Sequence, residues 1–284
     1  MSEAALPNLL YALHDAKSET EFQDYAQLKI VSTFGQPEAE YAAIRKGAAI
    51  MDLPQRGVLE LTGKDRLAFL NNLLTNQTWD KTTKKGLEAG KGVYAYFLNQ
   101  KGRIVADMNV LERGERTLVE TDARMVDVLG KAFEKFVFTE QVKMRSLVWQ
   151  VHRMTLHGPE ALGVINDAAG AGATIEELGA LDSTETKLFG VDVIVFRDDE
   201  CGVPGYHLVV PADRAQEVWK AFLDQFSNPL ELGKRRLRPI GWAAYNACRI
   251  EAGRPLFDID FGNSADAEQS VLRRRRVSSR APSR

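Results

Sequence analysis

Residues 94 to 110 read Tyr-Ala-Tyr-Phe-Leu-Asn-Gln-Lys-Gly-Arg-Ile-Val-Ala-Asp-Met-Asn-Val. Apolar runs on both sides of Leu-Asn-Gln-Lys-Gly predict a β-hairpin, with Asn99 and Gly102 supplying the turn. The second strand sets Asp107 among Ile104, Val105, Met108 and Val110. An acid in such a strand faces either solvent or a cavity, and in a cavity it needs a cation or a hydrogen-bond donor beside it. The local pattern by itself favours solvent.

Working outward, Ala48–Leu53 and Gly57–Leu61 read as short strands, and Asp65 is a natural N-cap for a helix carrying Leu67, Leu70 and Leu74 on one face. The lysine- and glycine-rich segment Trp79–Gly92 reads as a solvated loop. After the hairpin, Arg113-Gly114-Glu115-Arg116 turns the chain into a strand, and Asp122 caps a helix with Met125, Val126, Leu129 and Phe133 inward. The pattern then restarts. Leu147–Leu156 is predicted as a strand, Gly158-Pro159 opens a helix, Lys187–Arg197 and Tyr206–Val210 are strands, and Asp213–Phe226 is a helix with Val218, Trp219, Phe222 and Phe226 inward. Upstream, Leu9–Asp24 is a weakly amphipathic helix candidate, and Pro37–Lys46 is a clearer one with Pro37 in its first turn. The chain therefore reads as α+β in two αβ halves.

The 284 residues are enough to bury a sizeable core, and 37 basic against 39 acidic side chains leave no overall charge footprint for nucleic acid. Cys201 and Cys248 cannot form a disulfide framework and have no metal-ligand spacing, which points to a reducing compartment and no metal. No secretory leader pattern opens the chain and no run approaches the ~18 apolar residues of a membrane span, so a cytoplasmic protein without a membrane partner is expected. There is no Gly-x-Gly-x-x-Gly turn, no phosphate loop and no Gly-x-Ser-x-Gly elbow.

Residues 240–253 read Ile-Gly-Trp-Ala-Ala-Tyr-Asn-Ala-Cys-Arg-Ile-Glu-Ala-Gly and run into Arg254-Pro255-Leu256-Phe257-Asp258-Ile259-Asp260-Phe261. With Ala48–Asn76, Leu98–Asp107 and Leu156–Ala161, this makes four ordered motifs. Together they resemble the tetrahydrofolate-dependent glycine-cleavage T-protein (GcvT aminomethyltransferase) family and its YgfZ-type folate-binding relatives, over roughly Glu38 to Phe261.

The resemblance implies two ferredoxin-like αβ lobes around a central folate cavity, with the family's C-terminal barrel missing. The expected partition is an N-terminal segment 1–37, a first lobe 38–145, a second lobe 146–262, and a disordered Arg/Ser tail 263–284. It also implies tetrahydrofolate, or a 5- or 10-substituted form, as the ligand. Carried over residue by residue, Asp107 is the acid beside the pterin and the transferred carbon, Tyr94 lies beside the cavity, and Arg249 binds folate. The chemistry of the ligand agrees, since a pterin needs an acceptor for its N–H groups and a glutamate tail needs a cation. Arg249 could instead form a salt bridge to Glu251 or Glu231, and Glu251 is expected to act structurally at the helix cap.

Two departures bear on activity. The family's pterin-binding glutamate falls on Val203, and the YgfZ-type cysteine segment is absent after Phe261. The resulting expectation is a YgfZ-type folate-binding protein linked to iron–sulfur protein maintenance, incomplete at its C-terminus and without transferase chemistry. The alternatives are an aminomethyltransferase that works with a lipoyl carrier, and a non-catalytic scaffold. Folate is the expected partner, with iron–sulfur proteins or a lipoyl carrier beside it.

Overall fold

The structure is a computed structural model that describes residues 8–26, 28–170, 175–228 and 235–261. In chain order its elements are α1 (Tyr11–Asp15), β1 (Glu21–Tyr25), β2 (Leu28–Thr33), α2 (Pro37–Lys46), β3 (Ala49–Asp52), β4 (Arg56–Thr62), α3 (Arg66–Leu73), β5 (Trp79–Asp80), β6 (Lys85–Gly86), β7 (Gly92–Leu98), β8 (Ile104–Glu112), β9 (Arg116–Asp122), α4 (Ala123–Glu134), β10 (Lys143–Ser146), β11 (Val151–His157), α5 (Ala161–Ala169), β12 (Ser183–Leu188), β13 (Val191–Arg197), β14 (Gly205–Pro211), α6 (Ala215–Phe226), β15 (Arg238–Pro239) and α7 (Trp242–Glu251).

They build a mixed α+β fold around two sheets, and neither sheet closes into a barrel among the described residues. The five-stranded sheet has the order β10-β4-β9-β8-β7, and the six-stranded sheet has the order β12-β13-β14-β11-β3-β15. The hairpin predicted at Tyr94–Val110 is β7–β8, with Tyr96 opposite Asp107. Its turn follows the chemistry of its residues. Asn99 Oδ1 accepts from the Lys101 and Arg103 amides, and Gly102 adopts φ +73°.

Each sheet buries its outer face under helices. Met108, Val110 and Val119 pack with Phe69, Val126, Leu129 and Phe133 from α3 and α4. Met154, Leu156 and Leu208 pack with Val164, Ile165, Trp219 and Phe222 from α5 and α6. The inner faces meet each other through Val58, Leu111 and Leu118 on one side and Ile194, Phe196 and Val209 on the other. A third cluster ties β2, β3 and α2 to α7 through Ile30, Met51, Ile44, Tyr245 and Cys248.

Several local expectations change. β3 does not pair with β4 in the first half. Met51 and Ile50 face Thr155 and Leu156 of β11, so this strand belongs to the six-stranded sheet although it lies inside 38–145. The reason is burial: all four of its residues are inaccessible, which suits a central strand and not an edge. The region 9–24 holds only the one-turn α1 before the β1–β2 hairpin. Phe22 pairs with Val31, and extended pairing of this kind outweighs weak helical periodicity. The 79–92 segment is not all loop, since β5 and β6 pair within it. Asp65 does stand at the N-cap of α3, but its side chain makes no capping bond and accepts from the Gln141 amide instead. Asp122 does cap α4, accepting from the Arg124 amide at 2.9 Å. The tail expected to be disordered, 263–284, lies outside the described residues.

Gly158 marks a tight junction, where the start of α5 meets the end of α2. It adopts φ +126°, and a Cβ there would lie 2.2 Å from the Gly47 carbonyl. Gly158→Ala is expected to destabilise the fold by more than ~1 kcal/mol in urea denaturation, because both the backbone conformation and the space exclude a side chain. An unchanged midpoint would contradict this packing.

Candidate functional site

Strand alternation sends Met108 and Val110 into the core under α3 and α4, and so turns Asp107, Asn109 and Leu111 toward the opposite sheet. Asp107 is therefore not the solvent-facing acid favoured by the local pattern; it is 5% exposed. Tyr94 donates its hydroxyl proton to Asp107 Oδ2 at 2.9 Å. Thr121 donates to the Asp107 carbonyl at 2.7 Å, which fixes the backbone at this point. Asp107 Oδ1 has no hydrogen-bond partner among the described residues. Burial pushes this carboxyl above its ordinary range, against the pull of Arg56 and the Tyr94 hydroxyl. Tyr94 is driven up in turn, by burial first and then by the Asp107 charge.

Next to this pair lies an ion cluster that bridges the two sheets. Arg56 on β4 grips Glu120 on β9 with two bonds of 2.7 and 2.6 Å. Arg153 on β11 reaches the same carboxylate at 3.4 Å, donates to the Leu208 carbonyl at 2.6 Å, and lies 4.7 Å over the Phe196 ring. Asn109 adds a bond to Glu120 at 3.1 Å. Burial alone would raise Glu120, but Arg56 and Arg153 hold it down at about 2.

Beyond Arg153 the polar face continues through Thr155 and His157 on β11 and His207 on β14, to Glu200 in the β13–β14 loop. Tyr245 on α7 donates to Glu200 at 2.8 Å. His207 Nε2 lies 3.4 Å from the same carboxylate. Burial lowers His157 to about 4, and His207 is lowered too by burial and the Arg153 charge, so both imidazoles are neutral near pH 7. Asp198 is pushed up to about 7, by burial and then by Glu200.

The sequence points to Tyr245 as a cavity-wall residue beside Arg249, but to none of Arg56, Glu120, Arg153, His157, Glu200 or His207. A signal existed, because Arg153, Thr155 and His157 recur at every second position of a buried strand, alternating with Met154 and Leu156. Val203, where the resemblance places a carboxylate, packs on the apolar cluster of Cys201, Tyr245 and Cys248.

Arg249 is buried and has partners of its own. It donates twice to Asn246 Oδ1 and once to the Arg254 carbonyl, and it forms an ion pair with Asp260. Its salt-bridge partner among the described residues is thus Asp260 and not Glu251, and Glu231 lies outside the described residues. Glu251 accepts from Tyr41 and pairs with Arg45. The 254–261 turn so anchored places Leu256 and Phe257 over a small cavity lined by Tyr25, Arg56, Glu120, Glu200, His207, Trp242 and Tyr245. With room for about 30 Å³, the cavity holds one or two waters and no bicyclic ring. Two roomier hollows, of about 350 and 420 Å³, lie beside Arg145 and beside Lys17 and hold none of these groups.

A family model described as the GCVT N-terminal domain matches residues 10–274. Among curated proteins, an aminomethyltransferase of Cutibacterium acnes is 27% identical over 93% of this chain and 70% of its own length. An aminomethyltransferase of Caldanaerobacter subterraneus is 24% identical over 89% of this chain and 64% of its own. Among solved structures, the glycine cleavage system aminomethyltransferase T from Bartonella henselae superposes with a TM-score of 0.76 at 22% identity, covering 92% of this chain and 66% of that one. The chain thus spans about two thirds of the length of these relatives, and no helix among the described residues is long and apolar enough to cross a membrane.

Glu120 sets a pH dependence whose direction follows from its depressed titration. Its stabilising contribution is fully present above the unfolded value near 4.3 and is lost as pH falls from there toward about 2, roughly 3 kcal/mol in all. Glu120→Gln is expected to flatten that acid limb in denaturation series. It should also cost ~3–5 kcal/mol at pH 7, because Arg56 and Arg153 are left buried beside a neutral group. An acid limb identical to the parent would refute the assignment.

Proposed function

Because the chain belongs to the GCVT N-terminal domain family, we propose that it binds a reduced folate along the inter-sheet polar face that runs from Asp107 to the small cavity beside Tyr245, and receives a one-carbon unit on it by aminomethyl transfer. The observation that carries this reading is the buried Asp107 carboxylate, held on one oxygen by Tyr94 and unbonded on the other. Bonding of a methylene carbon to a secondary amine of tetrahydrofolate displaces the N–H proton. From an aminomethyl-lipoyl carrier the carbon loses its bonds to nitrogen and sulfur, ammonia and the lipoyl thiol leave, and two folate N–H protons are displaced. Asp107 Oδ1, raised by burial, would accept one of those protons and pass it to the departing thiolate, the other going to solvent. Tyr94 fixes the carboxylate so that its free oxygen faces the ligand.

The relatives bearing the GCVT domain are aminomethyltransferases, so transfer is placed ahead of the YgfZ-type role and its iron–sulfur clients. Val203 no longer argues against transfer on its own, since Glu200 supplies a carboxylate to the same cavity. A lipoyl carrier then takes the place of the partner that delivers the carbon. A second reading, folate binding without transfer, rests on the closed cavity. Leu256 and Phe257 must move before a pterin enters, and Arg249 becomes available to a folate carboxylate only when that turn releases Asp260.

Two measurements separate the readings. Titration with 5-formyltetrahydrofolate, followed by the fluorescence of cavity residue Trp242, reports binding, and methylene-tetrahydrofolate formation from an aminomethyl-lipoyl carrier reports transfer. Asp107→Asn is expected to lower turnover by ~100-fold or more while changing the folate affinity by less than about tenfold. Binding with no transfer in the parent protein would establish the second reading, and no saturable binding would remove both.

A further inference from the structure

We propose that His157, His207 and Glu200 form a binding site for one divalent transition-metal ion. The proposal does not rest on the one-carbon reading, although Glu200 and His207 also line the cavity that reading uses. One ring nitrogen of each histidine and a carboxylate oxygen of Glu200 lie within 4.8 Å of one another. His157 Nδ1 and His207 Nε2 are buried and have no hydrogen-bond partner among the described residues. An unsatisfied buried nitrogen costs stability, and two converging on one carboxylate call for a shared ligand.

The surroundings of His157 prepare its Nδ1 for ligation. Thr155 Oγ1 directs its own proton to the Tyr206 carbonyl at 3.2 Å, so toward His157 Nε2, 3.1 Å away, it presents only a lone pair. The imidazole proton therefore sits on Nε2 and the Nδ1 lone pair is bare. A metal-bound histidine is held in the same way, its far N–H donated to a fixed acceptor. Tyr245 orients Glu200 likewise. Ligation of His207 through Nε2 puts its proton on Nδ1, which gives up a 3.4 Å contact from Arg153. Arg153 keeps its 2.6 Å bond to the Leu208 carbonyl and its contact with Glu120.

Charge also selects the site. Asp198 is paired with Arg254 and Asp199 with Arg197, whereas Glu200 has no lysine or arginine partner among the described residues. Two imidazoles and one carboxylate suit Zn²⁺ or Co²⁺ and not Mg²⁺ or Ca²⁺, which prefer all-oxygen shells. Tetrahedral ligands about 2.0–2.1 Å from zinc are about 3.4 Å apart. The present spread closes by a shift of the Glu200 side chain, which is carried on a loop while both histidines sit on strands.

The test uses the full chain without a histidine tag, stripped of metal and titrated with Co²⁺. The expected result is one equivalent bound, with the visible absorption of a four- or five-coordinate ion, displaced by Zn²⁺ and untouched by Mg²⁺. His157→Gln and Glu200→Gln should each weaken binding by at least ~100-fold, and Thr155→Val by about tenfold. Binding that survives both ligand substitutions, or no stoichiometric binding, would overturn the proposal. Should a variant fail to fold, long-range ¹H–¹⁵N spectra of the parent histidines decide. Zn²⁺ must shift His157 Nδ1 and His207 Nε2 and leave His14 and His152 in place; an unchanged spectrum overturns the site.

Discussion

The interface between the two sheets depends on a single carboxylate. Glu120 accepts from Arg56 in its own sheet and from Arg153 in the opposite one, so the polar half of the inter-sheet contact is held by charges that cannot separate without leaving a buried ion unpaired. The apolar half needs no such device. Val58, Leu118, Phe196 and Val209 press the sheets together by burial alone. A sandwich of apolar side chains throughout would be more stable and would have no site. Replacing part of that contact by an ion cluster keeps the faces in register and leaves polar atoms, Asp107 Oδ1 among them, without internal partners.

A second buried charge cluster works on the far side of the six-stranded sheet. Asp52 accepts from His14 at 3.0 Å and from His152 at 2.7 Å, and these contacts overcome burial to hold its carboxyl at about 2. It links α1 to β3 and β11, which explains how an N-terminal stretch with almost no helix of its own is kept in place. His14 also packs edge-on against Trp219 of α6, so the same residue joins the charge to the apolar core.

What could be read from the sequence was set by the range of the interactions. The β7–β8 hairpin, its Asn99–Gly102 turn and the Asp122 cap are local, and each is fixed by residues within a few positions of one another. The Tyr94–Asp107 pair lies inside that hairpin and came from the resemblance. The placement of β3 was not legible. Four buried residues pair equally well with any neighbour, and the choice of β11 is made a hundred residues away. The Glu120 cluster and the Glu200 group were missed for the same reason, since Arg56, Glu120, Arg153 and Glu200 come from four separate segments. Arg249 shows the converse. Its helix was plain, but its ion pair with Asp260 depends on the turn after Gly253, whose φ of +70° sends the chain back across the helix end.

That turn decides how the cavity is used. Arg249 fastens Asp260 and the Arg254 carbonyl, Arg124 fastens Asp258, and Phe257 and Phe261 bury their rings in the cluster under the five-stranded sheet. Leu256 and Phe257 are thereby held over Arg56, Glu120 and Glu200, and water is kept from the charges. Exclusion of water strengthens each electrostatic contact in the cavity, including the one that Glu120 makes with Arg56. The folate proposed as ligand is far larger than 30 Å³, so its entry would exchange these aromatic contacts for contacts with the ligand. The Arg124–Asp258 pair is partly exposed and weak, and Arg249, although buried, keeps Asn246 and the Arg254 carbonyl when Asp260 leaves, whereas Glu120 stays between its two arginines. The cover can therefore move while the floor, with Arg56 and Glu120 on it, remains where the sheets put it.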